Sequence, residues 1–437
     1  MSGGNSNTTI AHPGPDWNLQ WNYGWQNFQL DIVGFLAVLG EGSVLANAQV
    51  SSLSRLFLLP RLLPAPQALL RPNRPVTLPS ATASVTAVYS GNVKDHVHHV
   101  ANVLLEGDEM PTFMVRCVEV KKRNDDRKPT RMDTFFRGKS GRQNTQSPTL
   151  GPPLIKARAN GPLSWVTLSG FFLSVLLLIT SFLLGDGWSV VATLLLSSLS
   201  TLIGIGNKWS LRLPQRQRGN DPPDGDVVIR YPNGSYLIVR CDEDVARELY
   251  FAPEEIEYTI NDALYRVIAL FGTLMLMVGV IALANSKLEL QFAWAASYVI
   301  SNAAHWAVAA LPARYHWDFS CYEITEQSIV GGPKNKTFTE ALWKAIVLTK
   351  STRWVRNGKA APQTQVWDDW LKEAEDQARD ALSHTGPLID PKWPGQNPKK
   401  GVIWDVPANW HAKQAWDQLN ETSTEFKGTG RLPRPVA

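Results

Sequence analysis

Cysteine is scarce: Cys117, Cys241 and Cys321 are the only three in 437 residues. Odd in number and far apart, they exclude a disulfide framework, a zinc knuckle and a redox CxxC, and they read as free thiols in a reducing compartment. The first 26 residues hold no Lys or Arg and no apolar h-region, which argues against a secretory signal peptide. No Walker loop, GxSxG, HExxH, GxGxxG or potassium-filter motif is present, so the sequence names no catalytic chemistry and no cofactor. The most informative lack is of charge. Leu163–Leu184, Trp188–Ile205, Val267–Ala284 and Leu290–Leu311 contain no Lys, Arg, Asp or Glu.

At about 1.5 Å per residue, each stretch covers most or all of a hydrocarbon core roughly 30 Å thick. A helix satisfies its own backbone there, whereas an irregular segment cannot. The expected fold is therefore an α-helical polytopic membrane protein, with four transmembrane helices as two hairpins and small α+β cytosolic elements. Gly185-Asp186-Gly187 joins the first pair and Asn285–Glu289 the second, with one cation between them. Lys156, Arg158, Lys208, Arg212, Arg216, Arg218, Arg266 and Arg314 lie at the opposite ends. The positive-inside rule then places both termini and the 207–262 loop in the cytosol, N-in/C-in. That orientation puts the sequons at Asn7, Asn233, Asn335 and Asn420 on the side that is not glycosylated.

The flanks divide by composition. Residues 1–82 form an aromatic and amphipathic N-terminal segment, partly disordered. Trp17, Trp21, Trp25 and Phe28 make a stripe if helical, and Ile32–Leu39 and Leu53–Leu63 either lie at the bilayer surface or pack on the protein. Pro60, Pro64, Pro66, Pro72 and Pro75 suggest an extended connector. The acid-free stretch with Arg55, Arg61, Arg71 and Arg74 resembles a mitochondrial presequence in composition. A plasma membrane or endomembrane is nonetheless favoured, because Asp16, Asp31 and Glu41 precede it. Residues 83–120 read as a small α+β piece, with strands at 85–89 and 112–120 and a helix around Val93–Leu105.

Residues 121–160 read as a disordered basic linker, with 11 cations against 3 acids over 121–158. Anionic headgroups would attract it by about 1 kcal/mol per nearby cation; a plain solvated linker is the alternative. Spans at 161–206 and 263–312 bracket a β-hairpin plus helix at 207–262. There Asn233-Gly234 suits a type I′ turn, Asp242–Tyr250 a helix and Pro253-Glu254-Glu255 a further helical turn. The hairpin is too small to stand alone and should dock on the 83–122 piece. Residues 313–437 form a helical, Trp-rich tail. Thr337–Glu340 fits a capping box, and Trp367, Trp370, Leu371, Ala374, Ala378 and Leu382 form an apolar stripe. Trp393, Trp404, Trp410 and Trp416 should pack on the domain or the membrane.

Candidate site residues are few. Ser297, Ser301 and His305 fall at i, i+4 and i+8 in the last apolar stretch, with Tyr298 and Asn302 beside them. An ionisable group within a span is costly and often functional, although a neutral, hydrogen-bonded His305 would be structural. Thr167, Gly170, Ser174 and Ser181, and Thr193, Ser197, Thr201 and Gly204, read as small-residue packing seams. His96, His98 and His99 could supply two metal ligands, where zinc needs three or four. His316 and Asp318 sit at the membrane edge.

The stretch Val227–Tyr250 leading into a span, and the His316-Trp317-Asp318 that follows the last one, resemble a group of uncharacterised multi-span membrane proteins of filamentous fungi. The likeness covers residues 160–325 and implies a membrane location without an activity. The expectation is a membrane scaffold, regulator or receptor-like protein of unknown ligand. Its partners would be the bilayer, anionic headgroups, unknown proteins and a possible homo-oligomer, with nothing pointing to nucleic acid. The alternative is an oligomeric channel or transporter, and a third is a membrane-embedded enzyme using His316 or Asp318.

Overall fold

The computed structural model describes residues 41–123, 155–212, 223–330, 335–384, 402–404 and 410–429. The aromatic stripe at 17–28, the 32–39 run, most of the basic linker and Trp393 lie outside the described residues.

Four long helices form two hairpins: α1 (Pro162–Leu183), α2 (Gly187–Gly206), α3 (Asp262–Ala284) and α4 (Leu288–Ala309). The first three are long and apolar enough to cross a membrane. The fourth is as long as α1 but carries Glu289, Gln291, Asn302 and His305, so it stands apart by composition. Expectation and structure therefore meet at three spanning-type helices in a bundle of four. Pro162 opens α1 at a position where its missing N–H costs nothing. Asn261 caps α3 by accepting from Leu264 N. The α2–α3 contact is close at Gly279, where an added Cβ would lie 2.8 Å from Leu196; α1 packs on α2 and α4.

At the far end of the bundle one carboxylate ties the two hairpin turns together. Asp186 accepts from Trp188 N at 3.0 Å and Ser189 N at 3.3 Å, and also from Lys287 N at 2.6 Å. Lys287 Nζ returns to the Leu184 carbonyl at 2.6 Å. Asp186→Ala would strip three backbone donors of their acceptor in a site only 6 % exposed. The expected loss is about 2 kcal/mol, as for a strong helix cap. Denaturant unfolding in detergent micelles checks it, and a loss below about 0.5 kcal/mol would refute the tie.

The strands are β1 (Ala81–Ala87), β2 (Val93–Val97), β3 (Val115–Lys122), β4 (Lys156–Ala157), β5 (Trp209–Arg212), β6 (Val227–Arg230), β7 (Tyr236–Arg240), β8 (Glu255–Tyr258), β9 (Trp317–Asp318), β10 (Tyr322–Val330) and β11 (Val402–Trp404). Seven of them make one sheet, in the order β11-β10-β3-β7-β6-β1-β2. The β6–β7 hairpin does dock on the earlier piece, with β7 running parallel to β3 from Val115↔Tyr236 to Glu119↔Arg240. Both helical hairpins are thus insertions into one sheet, the first between β3 and β6 and the second between β7 and β10.

Four local expectations are corrected. In the turn Tyr231–Ser235 only Gly234 has positive φ, at +78°, and Gly234 N donates to the Tyr231 carbonyl at 3.0 Å. This is a type I turn closed by a bulge glycine, not a type I′ turn. The helix expected from 93 starts only at His99, because Val93–Val97 pairs with β1. The turn expected at Pro253–Glu255 gives way to β8, which pairs with β5 from Trp209↔Tyr258 to Arg212↔Glu255. In both cases a neighbouring strand outweighs local propensity. The Asp242–Tyr250 helix is also shorter, Glu243–Ala246 followed by a π turn Arg247–Phe251.

Helices cover one face of the sheet: α5 (Phe338–Thr349), α6 (Gln365–His384) and α7 (Ala412–Thr429), with Trp354 and Trp370 fully buried against Val115, Cys117 and Ile238. Thr337 caps α5 by accepting from Glu340 N, while Glu340 takes Lys336 N. Trp410 packs at a tilt against Trp343 and Trp416 against Trp367, so these tail tryptophans pack on the domain. The opposite face, with Val85, Val118, Ile229 and Leu237, shares its core with Leu163 and Val166 of α1 and Val308 of α4. Sheet and bundle are therefore joined by a continuous apolar core.

Candidate functional site at an inserted segment

The Ser/Thr faces of α1 and α2 do more than seal helix against helix: they hold the backbone of residues 54–70. That segment enters beside the end of α2, where Lys208 Nζ reaches the Leu53 carbonyl at 3.3 Å. It descends past Gly204, whose missing side chain leaves room for the Phe57 carbonyl. Arg61 N then donates to Ser200 Oγ at 2.9 Å, and Leu62 N to Ser174 Oγ at 2.6 Å. Ala65 N donates to Tyr298 Oη of α4 at 2.9 Å. The chain climbs out past Gly272, near Leu70, and its Leu69 carbonyl accepts from Asn207 Nδ2 and Tyr265 Oη.

Position along the helices gives the depth. Ser174 is twelve residues into α1, about 18 Å from its first turn. The segment thus turns about halfway along the bundle. Irregular backbone at that depth must find partners within the protein. Pro60, Pro64 and Pro66 help by having no N–H to satisfy. Of the two expectations for Leu53–Leu63, packing on the protein holds and a place at the bilayer surface does not: helical serines, a tyrosine and glycines receive the segment.

The insertion carries Arg61 inside. Its residue is 2 % exposed and its guanidinium lies 4.7 Å from the Phe57 ring centroid. Nη1 donates to the Phe57 carbonyl at 3.1 Å, while Nε is buried without a partner. Among the described residues no carboxylate lies within ion-pair distance of it. His305 on α4 lies within its electrostatic reach. His305 Nδ1 donates to the Ser301 carbonyl at 2.8 Å, which leaves Nε2 as the acceptor in the neutral ring. Ser297 is 7 % and Ser301 1 % exposed, and Ser301 Oγ has no partner among the described residues. Asn302 accepts from Ser43 Oγ at 3.3 Å. The four residues of α4 singled out by sequence thus share the bundle with a cation that sequence reasoning missed. Its signal was an arginine among leucines and prolines, opposite two hydroxyl-bearing helix faces in need of partners.

The other candidates separate. His96 pairs with Asp95 at 2.8 Å, and His98 takes Lys94 Nζ at 2.7 Å and approaches Glu254 at 3.7 Å. His99 Nδ1 donates to the Pro79 carbonyl at 3.1 Å. Glu254 meanwhile accepts from the first amides of the His99–Leu105 helix, at 3.3 Å and 3.1 Å. The three rings serve different partners, and the described residues hold no group of three or more His, Cys, Asp or Glu placed to bind a metal. Asp318 accepts from Ser320 N at 3.1 Å, whereas His316 is buried, 2 % exposed, so the pair does not converge on a shared acid/base site.

Burial holds the His316 imidazole below its ordinary 6.5, and burial lowers His99 as well. A depressed histidine stabilises the fold above its unfolded value and loses that contribution as pH falls through the native one. Thermal stability should therefore drop between about pH 7.5 and about pH 5. His316→Gln should flatten part of that drop, which melting curves at both ends would reveal. An unchanged slope would remove His316 from the account.

The chain matches no family model, no curated protein and no solved structure. What the site does must be argued from its own geometry.

Proposed function

We propose that the chain is an integral membrane protein of four spans, N-in/C-in, acting as a scaffold, regulator or receptor-like platform. The carrying observation is that the bundle interior is filled by residues 54–70 while its outside is apolar and bare. Phe172, Leu176 and Phe182 of α1, Val267 and Leu270 of α3, and Ile300 of α4 are each at least half exposed. Contiguous apolar surface on that scale calls for a membrane or a partner. Trp165 and Trp306 at the domain end and Trp188 at the far end suit the two interfaces. The sheet domain would sit against the inner leaflet, fixed to the helices by their common core, with 121–158 reaching anionic headgroups. Its setting would be the plasma membrane or an endomembrane rather than the mitochondrion.

The test is topology with location: a fluorescent tag at each terminus, with protease and glycosylation mapping of 207–262. Cytosolic access to all three supports the proposal; glycosylation at Asn233 overturns the orientation. One observation favours a second reading, an oligomeric channel or transporter: Arg61 is a buried cation within electrostatic reach of His305, with no carboxylate at ion-pair distance among the described residues. Solute flux in proteoliposomes that is lost in both His305→Ala and Asn302→Ala would establish it.

A further inference from the structure

The two limbs of the inserted segment do not close completely at the domain end of α2 and α3. Between them lies a cavity of about 360 Å³, within the usual range for a small-molecule site. Its lining combines polar side chains, Arg71, Arg74, Asn73 and Asn207, with the apolar Phe57 and Leu69. Arg74 is fixed in place. Its guanidinium is stacked between Tyr258 and Tyr265, 4.0 and 4.4 Å from their ring centroids. Nη1 donates to the Gly206 carbonyl at 3.1 Å, and Nη2 to the Ile260 carbonyl at 2.8 Å and to Asp262. The side chain is only 3 % exposed, yet Nε is buried with no partner among the described residues. Arg71 differs: it is about half exposed and is held by Glu41, which is exposed to the same degree.

We infer that this cavity binds the phosphate group of an anionic amphiphile. Arg74 would offer its remaining donor from a rigid stack, and Arg71 would leave Glu41 to complete a two-guanidinium clamp. Planar, multiply donating guanidinium groups match phosphate geometry well. The apolar remainder of the ligand would lie against Phe57 and Leu69. The inference rests on the membrane reading above, which sets the cavity at the level of lipid headgroups. A free phosphate would use the same donors, so the two sources must be separated by experiment.

The full chain in phosphatidylcholine nanodiscs is titrated with dihexanoyl phosphatidic acid and, separately, with inorganic phosphate. Phosphatidic acid should bind, about tenfold more weakly in Arg71→Glu and more tightly in Glu41→Gln, where the competing carboxylate is gone. Arg74 also holds the end of α2, so the test relies on residues 71 and 41, which are both exposed. Binding confined to the amphiphile assigns the site to lipid. Equal binding of inorganic phosphate supports the clamp and assigns it to a soluble phosphate. No binding of either, or binding unchanged in Arg71→Glu, overturns the inference. Release of the chain from cell membranes by alkaline carbonate would sink the membrane reading instead, whatever the titration gives.

Discussion

Gly204→Leu should force residues 54–70 out of the bundle. A Cβ at this position would lie 2.8 Å from the Phe57 carbonyl oxygen and 3.1 Å from its ring. The closer contact is backbone, which no rotamer change can move aside. That same carbonyl accepts from Arg61 Nη1, so displacing it disturbs the deepest part of the insertion. Overpacking alone costs about 1–3 kcal/mol. Losing the serine contacts to Arg61 N and Leu62 N adds about 0.5–1.5 kcal/mol each. The expected total is at least about 2 kcal/mol, with trypsin newly able to cut at Arg61. Gly187→Ala is the control, since nothing lies within 4 Å of its added Cβ. Equal protease resistance in the two variants would mean that the segment does not rest on α2.

Arg61→Met should work in the opposite direction and stabilise the protein. A buried cation with no carboxylate at ion-pair distance among the described residues carries a desolvation penalty of several kcal/mol. Against it stand a single carbonyl and one aromatic ring, the latter contributing about 1–2 kcal/mol. A thioether of similar length fills the space without the charge. The expected gain is about 1–4 kcal/mol, the range seen when buried charges are replaced by apolar side chains. Unfolding in micelles reads the effect directly. A loss would mean that Arg61 has a stabilising partner beyond the contacts described. A gain accompanied by lost flux or ligand response would mark Arg61 as a group whose use is functional, stability being exchanged for activity.

Much of the architecture can be read from local pattern. The charge-free stretches are legible because burial of a helix in apolar surroundings forbids charge over its whole length. The β6–β7 hairpin is legible because Asn233-Gly234 lies between two β-branched runs. Its turn type was not: only Gly234 needs a positive φ, and Asn-Gly suits both geometries. The β8 strand and the early end of the helix expected at 93–105 depend on partners distant in the chain, and periodicity carries no information about those. The hydroxyl faces of α1 and α2 could be seen as surfaces needing partners. That the partner is residues 54–70, more than 100 residues earlier, could not. Leucines with prolines and arginines describe an interfacial segment and an inserted one equally well. Of the candidate site, Ser297, Ser301, Asn302 and His305 stood out by spacing on one helix, whereas Arg61 comes within electrostatic reach of His305 only through the fold.

Hydrogen–deuterium exchange of the full chain in lipid nanodiscs addresses the inserted segment most directly. The amides of Arg61, Leu62 and Ala65 bond to Ser200, Ser174 and Tyr298 in the bundle interior. They should exchange as slowly as the middle turns of α1 and α2, and Gly204→Leu should abolish that protection. Exchange within seconds in the unaltered chain, as in a solvated connector, would contradict the insertion and, with it, the closed bundle on which the platform reading depends.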